Sequence, residues 1–137
     1  MAKLLIVIHD PVLARAYTVR FAKAGFEVEH RATAHDGLAR ARQWTPDILL
    51  LDLTLPGIHG LDVLKMLRDV PWLIRVHVVL LIERTLAQET LDECLLWGAD
   101  SYLYKDISSV DDVAAHVHSV RSSLHGSPPQ PQTPASA

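Results

Sequence analysis

The sequence predicts a single α/β domain, a doubly wound five-stranded parallel sheet with five helices. Short apolar runs alternate with helical patterns over residues 1–125. Alternation of this length implies right-handed crossovers, and hence helices on both faces of a parallel sheet. The third run, Asp47-Ile48-Leu49-Leu50-Leu51-Asp52, holds nothing polar between its acidic ends. Such a strand is buried on both faces, as in a sheet covered by helices.

The elements follow in chain order. Leu4–Ile8 is the first strand. Leu13, Ala16, Tyr17, Phe21 and Ala24 then recur at helical spacing until Gly25 stops the helix. Phe26–His30 is the second strand, and Thr33 with Asp36 forms a helix-opening pair for a helix running to about Gln43. Ile48–Leu51 is the third strand, after which Pro56-Gly57 turns the chain. Leu61, Leu64 and Leu67 carry a third helix that ends before Pro71. Val76–Ile82 is the fourth strand, and Leu91, Cys94 and Leu95 carry a helix ended by Gly98. Ser101–Tyr104 is the fifth strand. Val110, Val113, Val117, Val120 and Leu124 carry the last helix, opened by Ser108 with Asp111. Residues 126–137 are Pro-rich without apolar periodicity; such a tail cannot offset its ordering entropy by burial and is expected to be disordered or extended.

Composition narrows the function classes. Hydrophobic content of 49% with 21% charged residues is ordinary for a globular α/β protein. The net charge of -3 gives no encouragement to nucleic-acid or membrane binding. Cys94 is the only cysteine, which excludes an internal disulfide and fits a reducing compartment. Leu4–Ile8 is too short for a signal-peptide core or a membrane span, so a cytoplasmic location is expected. No glycine-rich phosphate loop appears, which disfavours a nucleotide-binding enzyme.

The chemistry gathers where the strands end. The carboxyl edge of an open α/β sheet is where ligands bind. His9 and Asp10 follow strand one, Asp52 follows strand three, Ile82 and Glu83 end strand four, and Lys105 follows strand five. With Pro56-Gly57, Gly60 and Gly98-Ala99-Asp100, this set resembles the receiver domain of two-component response regulators, from about Lys3 to Leu124.

The resemblance implies the flavodoxin-like strand order 2-1-3-4-5 and a role in phosphorelay signal transduction rather than an enzyme's, with self-catalysed phosphotransfer and dephosphorylation at most. Asp52 matches the phosphoacceptor, which takes its phosphoryl group from a sensor histidine kinase or phosphotransfer protein. Magnesium (Mg2+) would be held by Asp10, Asp52 and the main-chain carbonyl of Thr54, because a carboxylate meeting a phosphoryl dianion needs a bridging cation. Lys105 would pair with the phosphoryl oxygens. Tyr102 matches the switch aromatic, and a downstream protein partner would bind helix four, strand five and helix five. A weak homodimer is allowed for.

Four positions depart from the family pattern. His9 stands where a second acidic residue is usual. Ile82, thirty residues beyond Asp52, replaces a Ser or Thr. Glu83 replaces a small residue, and Asp106 replaces a proline after the lysine. Ile82 cannot donate the hydrogen bond that links the phosphoryl group to the aromatic. Glu83 adds charge beside the site and is expected to offer Lys105 a second carboxylate. Two outcomes are open: a receiver with weak magnesium binding and impaired switching, or a pseudo-receiver that binds partners without phosphate.

Overall fold

The computed structural model describes residues 1–125; the Pro-rich tail at 126–137 lies outside them. Five strands, β1 (Lys3–Val7), β2 (Glu27–Arg31), β3 (Ile48–Asp52), β4 (His77–Ile82) and β5 (Ser101–Tyr104), alternate with α1 (Pro11–Lys23), α2 (Ala34–Trp44), α3 (Gly60–Arg68), α4 (Gln88–Leu96) and α5 (Val110–His125). All strand pairs are parallel, in the order β2-β1-β3-β4-β5. A 3-10 turn, Pro71–Leu73, follows α3.

The sheet separates two cores, because strand side chains alternate between its faces. Leu5, Val7, Leu49, Leu51, Leu80 and Ile82 pack with residues of α2, α3 and α4. Leu4, Ile6, Ile48, Leu50, Val79 and Leu81 pack with residues of α1 and α5. The central strand β3 is buried at all five positions, and its last residue is the one buried charged side chain among the described residues, Asp52.

Local signals set the ends. Asp10 caps α1, its Oδ1 accepting from the amides of Val12 at 2.9 Å and Leu13 at 3.4 Å. Gly25 ends that helix at φ +91°, where a Cβ would be strained. Thr33 caps α2 through the amide of Asp36, as expected.

Several expectations shift. The cap of α5 is one residue later: Ser109 and Asp112 exchange hydrogen bonds of 2.9 and 3.0 Å in place of Ser108 and Asp111. The first strand lies one residue earlier and the second one residue later, the fourth starts one residue later with its end unchanged, and Asp52 belongs to β3 instead of following it. Ala16, Leu95 and Leu124 are exposed; the buried stripe of α1 runs through Ala14, Tyr17 and Phe21.

His116 of α5 is half-buried and meets the amino edge of the sheet. Its Nε2 lies 2.8 Å from the Ser101 hydroxyl, which also sits 3.4 Å from Nε2 of His77. Burial is the main force lowering the pKa of both imidazoles; for His77, Asp100 opposes it and Arg68 adds to it, and for His116 the charge of His77 adds to it. The folded state therefore binds fewer protons here than the unfolded chain. Stability is fully present above the unfolded value of about 6.5 and is lost as pH falls below it, by at most about 1.4 kcal/mol per pH unit for each proton taken up. Thermal melts between pH 7.5 and 5 should show this decline (roughly the range in which imidazoles titrate), and His116→Gln should flatten it. An unchanged slope in that variant would remove His116 from the account.

Candidate functional site

Asp52 ends β3 beside Leu81 of β4 and is almost wholly buried, 1% exposed. A buried carboxylate needs compensation for its lost hydration, and each oxygen has it. Oδ1 accepts from the Thr54 amide at 2.8 Å and from the Thr54 hydroxyl at 2.6 Å. Oδ2 accepts from Lys105 Nζ at 2.7 Å. Lys105 also donates to the Thr54 hydroxyl at 3.1 Å, closing a three-residue ring. The short Thr54–Asp52 bond has the length of a charge-assisted O–H···O contact.

The fold brings these groups together by ordinary means. The backbone after Asp52 turns so that residue 54 faces back to the carboxylate, an Asx-type turn, and Gly57 then takes φ +93°. Lys105 directly follows β5, its amide donating to the Ile82 carbonyl at 2.7 Å, which aims the side chain along the carboxyl edge. Tyr17 of α1 is buried within reach of the Asp52 charge. Burial, and secondarily the Asp52 charge, push its pKa up to about 12.

The remaining predicted positions fall into place unevenly. Asp10 is exposed at the same edge with Oδ1 committed to the α1 cap, leaving Oδ2 outside the cap. His9 is exposed beside it. Ile82 is buried, 1% exposed, in the core shared with α3 and α4, with Tyr104 packed against the same cluster. Tyr102 is 37% exposed and meets Tyr104 edge-on, ring centroids 5.9 Å apart. Glu83 does not reach Lys105, contrary to expectation. The chain turns there, with the Leu86 amide donating to the Glu83 carbonyl at 3.0 Å, and the exposed carboxylate lies 3.5 Å from the Thr85 hydroxyl.

Two features escaped sequence reasoning. The Thr54 side chain enters the site, which a bare Asp-x-Thr spacing does not announce. Arg84 and Asp106 form an ion pair at 2.7 Å across the loops that follow β4 and β5, and that hydrogen bond holds the Asp106 carboxyl below its usual range. The residue in place of proline is thus a tether between loops.

A divalent cation with a taste for oxygen fits the donors here. Asp10, Asp52 and the carbonyl of Thr54 would offer hard oxygen donors, suited to an ion that keeps several waters. Among the described residues no group of three or more His, Cys, Asp or Glu forms a fuller metal cage.

The family model of the response regulator receiver domain matches residues 4–118. The chain belongs to the response regulator receiver family. The receiver is 34% identical over 114 residues to the DNA-binding response regulator MtrA of Mycolicibacterium smegmatis, covering 82% of this chain and 47% of MtrA. It is 33% identical over 105 residues to the transcriptional regulatory protein KdpE of Mycobacterium tuberculosis, covering 77% and 45%. The chain thus spans about half the length of these curated relatives. In fold it is similar to chemotaxis response regulator CheY4 of Vibrio cholerae, with a TM-score of 0.80 at 24% identity over 88% of this chain and 98% of that one. The receiver domain of the Francisella response regulator 1452 gives 0.78 at 23%, over 90% and 99%. Among the described residues no helix is long and apolar enough to cross a membrane.

Proposed function

We propose that this receiver takes a phosphoryl group on Asp52 from the phosphohistidine of a sensor histidine kinase or phosphotransfer protein, and that its switching is impaired. The observation that carries the reading is the ring of Asp52, Lys105 and Thr54, a buried carboxylate whose counter-cation is poised at the carboxyl edge. In the transfer, the P–N bond of the donor breaks, a P–O bond to an Asp52 oxygen forms, and the released imidazole takes up a proton. Lys105, a point charge on a flexible stem, follows the charge from the carboxylate to the phosphoryl oxygens. Asp10 and Asp52 with the Thr54 carbonyl would hold magnesium, which offsets the like-charge repulsion of the encounter. Both partners would meet the receiver in the cytoplasm, the downstream one on the surface of α4, β5 and α5.

Impairment is supported by Ile82, whose apolar, closed position offers the phosphoryl group no donor, and to a smaller degree by the exposed carboxylate of Glu83, which has no cationic partner among the described residues. The same observations favour a second reading, a pseudo-receiver that binds its partner without phosphate. Acetyl phosphate with magnesium separates the two. The first expects slow addition of one phosphoryl group by intact-protein mass spectrometry, abolished by Asp52→Ala. No addition supports the pseudo-receiver, and addition that persists in Asp52→Ala places the acceptor elsewhere.

A further inference from the structure

We propose that the Thr54 hydroxyl supplies the phosphoryl hydrogen bond that position 82 has lost; this rests on the reading of Asp52 as phosphoacceptor. The hydroxyl is the only side-chain donor besides Lys105 that contacts the Asp52 carboxylate among the described residues. Its one proton goes to Asp52 Oδ1 at 2.6 Å, while a lone pair accepts from Lys105 at 3.1 Å. Lys105 therefore fixes which way the hydroxyl points.

Phosphorylation changes what that proton finds. Once Asp52 carries the phosphoryl group as an acyl phosphate, the negative charge sits on the terminal phosphoryl oxygens, and they become the strongest acceptors beside the ring. Rotation about the Thr54 side-chain bonds carries the proton from Oδ1 to a phosphoryl oxygen, while Lys105 shifts the same way. Thr54 is exposed, so no core packing opposes the rotation. Ile82 cannot compete for this role. It is buried among Leu80, Leu91 and other apolar side chains and has no proton to give.

The exchange has a mechanical consequence. A hydroxyl on the end of β4 would draw that strand's loop toward the phosphoryl group. Thr54 lies on the loop after β3, so its hydrogen bond leaves β4 and the neighbouring Tyr102 where they are. The chain thereby keeps the affinity contributed by a hydroxyl while omitting the movement that a hydroxyl at position 82 would drive.

Beryllofluoride with magnesium, titrated into the full chain and followed by backbone NMR, tests this. Thr54→Val keeps the shape and removes the proton. It should weaken beryllofluoride binding roughly tenfold to a hundredfold, the range for a hydrogen bond to a charged acceptor. Thr54→Ser should retain binding, and magnesium affinity should stay unchanged in both variants, because the group at 54 that would face the metal is a main-chain carbonyl. Thr54→Val also gives up a hydrogen bond to buried Asp52 and should melt lower, so binding is compared well below its melting temperature. In an Ile82→Thr background the loss caused by Thr54→Val should shrink, since a second hydroxyl is then available. Wild-type affinity in Thr54→Val overturns the inference while leaving the Asp52 reading intact. Failure of the unaltered protein to bind beryllofluoride overturns both.

Discussion

Lys105→Met should lower the melting temperature by roughly 8 °C. The argument is one of desolvation. Asp52 is held away from water, its side chain 2% exposed, and Lys105 Nζ is the sole partner of Oδ2 among the described residues. Deleting the cation leaves one carboxylate oxygen buried and unmatched, which costs far more than the net worth of the pair. Thr54 still satisfies Oδ1, and Lys105 is itself 23% exposed, so water reaches part of the space it vacates. A cost of about 2 kcal/mol follows, below the range for a fully buried pair, and a domain of this size converts it at about 4 °C per kcal/mol. Adding Asp52→Asn to the variant should recover most of the loss. Calorimetry of the unaltered protein and the two variants checks both halves, and an unchanged melting temperature in Lys105→Met would mean that Asp52 is compensated by something other than the lysine.

Restoring the family residues at positions 82 and 83 should accelerate phosphoryl uptake by tenfold or more. Ile82→Thr returns a donor for a charged acceptor, worth roughly 1.5–3 kcal/mol in transition-state terms if its geometry is good. Glu83→Ala removes a negative charge from the rim. The structure changes the weight given to each. Glu83 makes no ion pair with Lys105 and points to solvent, so its repulsion is screened and small. Most of the gain must come from Ile82→Thr. That change also puts a polar group into the core beside Leu80, at a stability cost of about 1–2 kcal/mol, so folding should be verified first. Labelling rates with acetyl phosphate, measured on each single variant and the double, apportion the effect.

How much of this was legible in the sequence follows from the kind of signal each residue gives. The fold was readable because an apolar run such as Ile48–Leu51 has one stable home, a sheet covered on both faces. Asp52 and Lys105 were readable for the same reason, since strand ends dictate where the side chain after them emerges. Helical spacing was less decisive. It marks a stripe, yet whether Leu95 or Leu124 is covered depends on which neighbour reaches that far, and none of the described residues covers either. The caps of α5 show the same limit, because Ser108/Asp111 and Ser109/Asp112 are equally good pairs in sequence and only the arrival of the chain from β5 selects the second. His116 became a half-buried partner of Ser101 through contacts across the sheet edge that spacing does not encode. The Thr54 hydroxyl and the Arg84–Asp106 tether escaped because both depend on loop geometry, where short-range rules fix little.

The central claim is a phosphoryl site that accepts its ligand without moving Tyr102. Backbone NMR of the unaltered protein, with and without beryllofluoride and magnesium, tests it most directly. The account predicts shifts at Asp52, Thr54 and Lys105, with the amides of Tyr102 and Leu103 essentially unmoved, and a new response at Tyr102 in the Ile82→Thr, Glu83→Ala double variant. Large shifts at Tyr102 and Leu103 in the unaltered protein would contradict it and show a working switch.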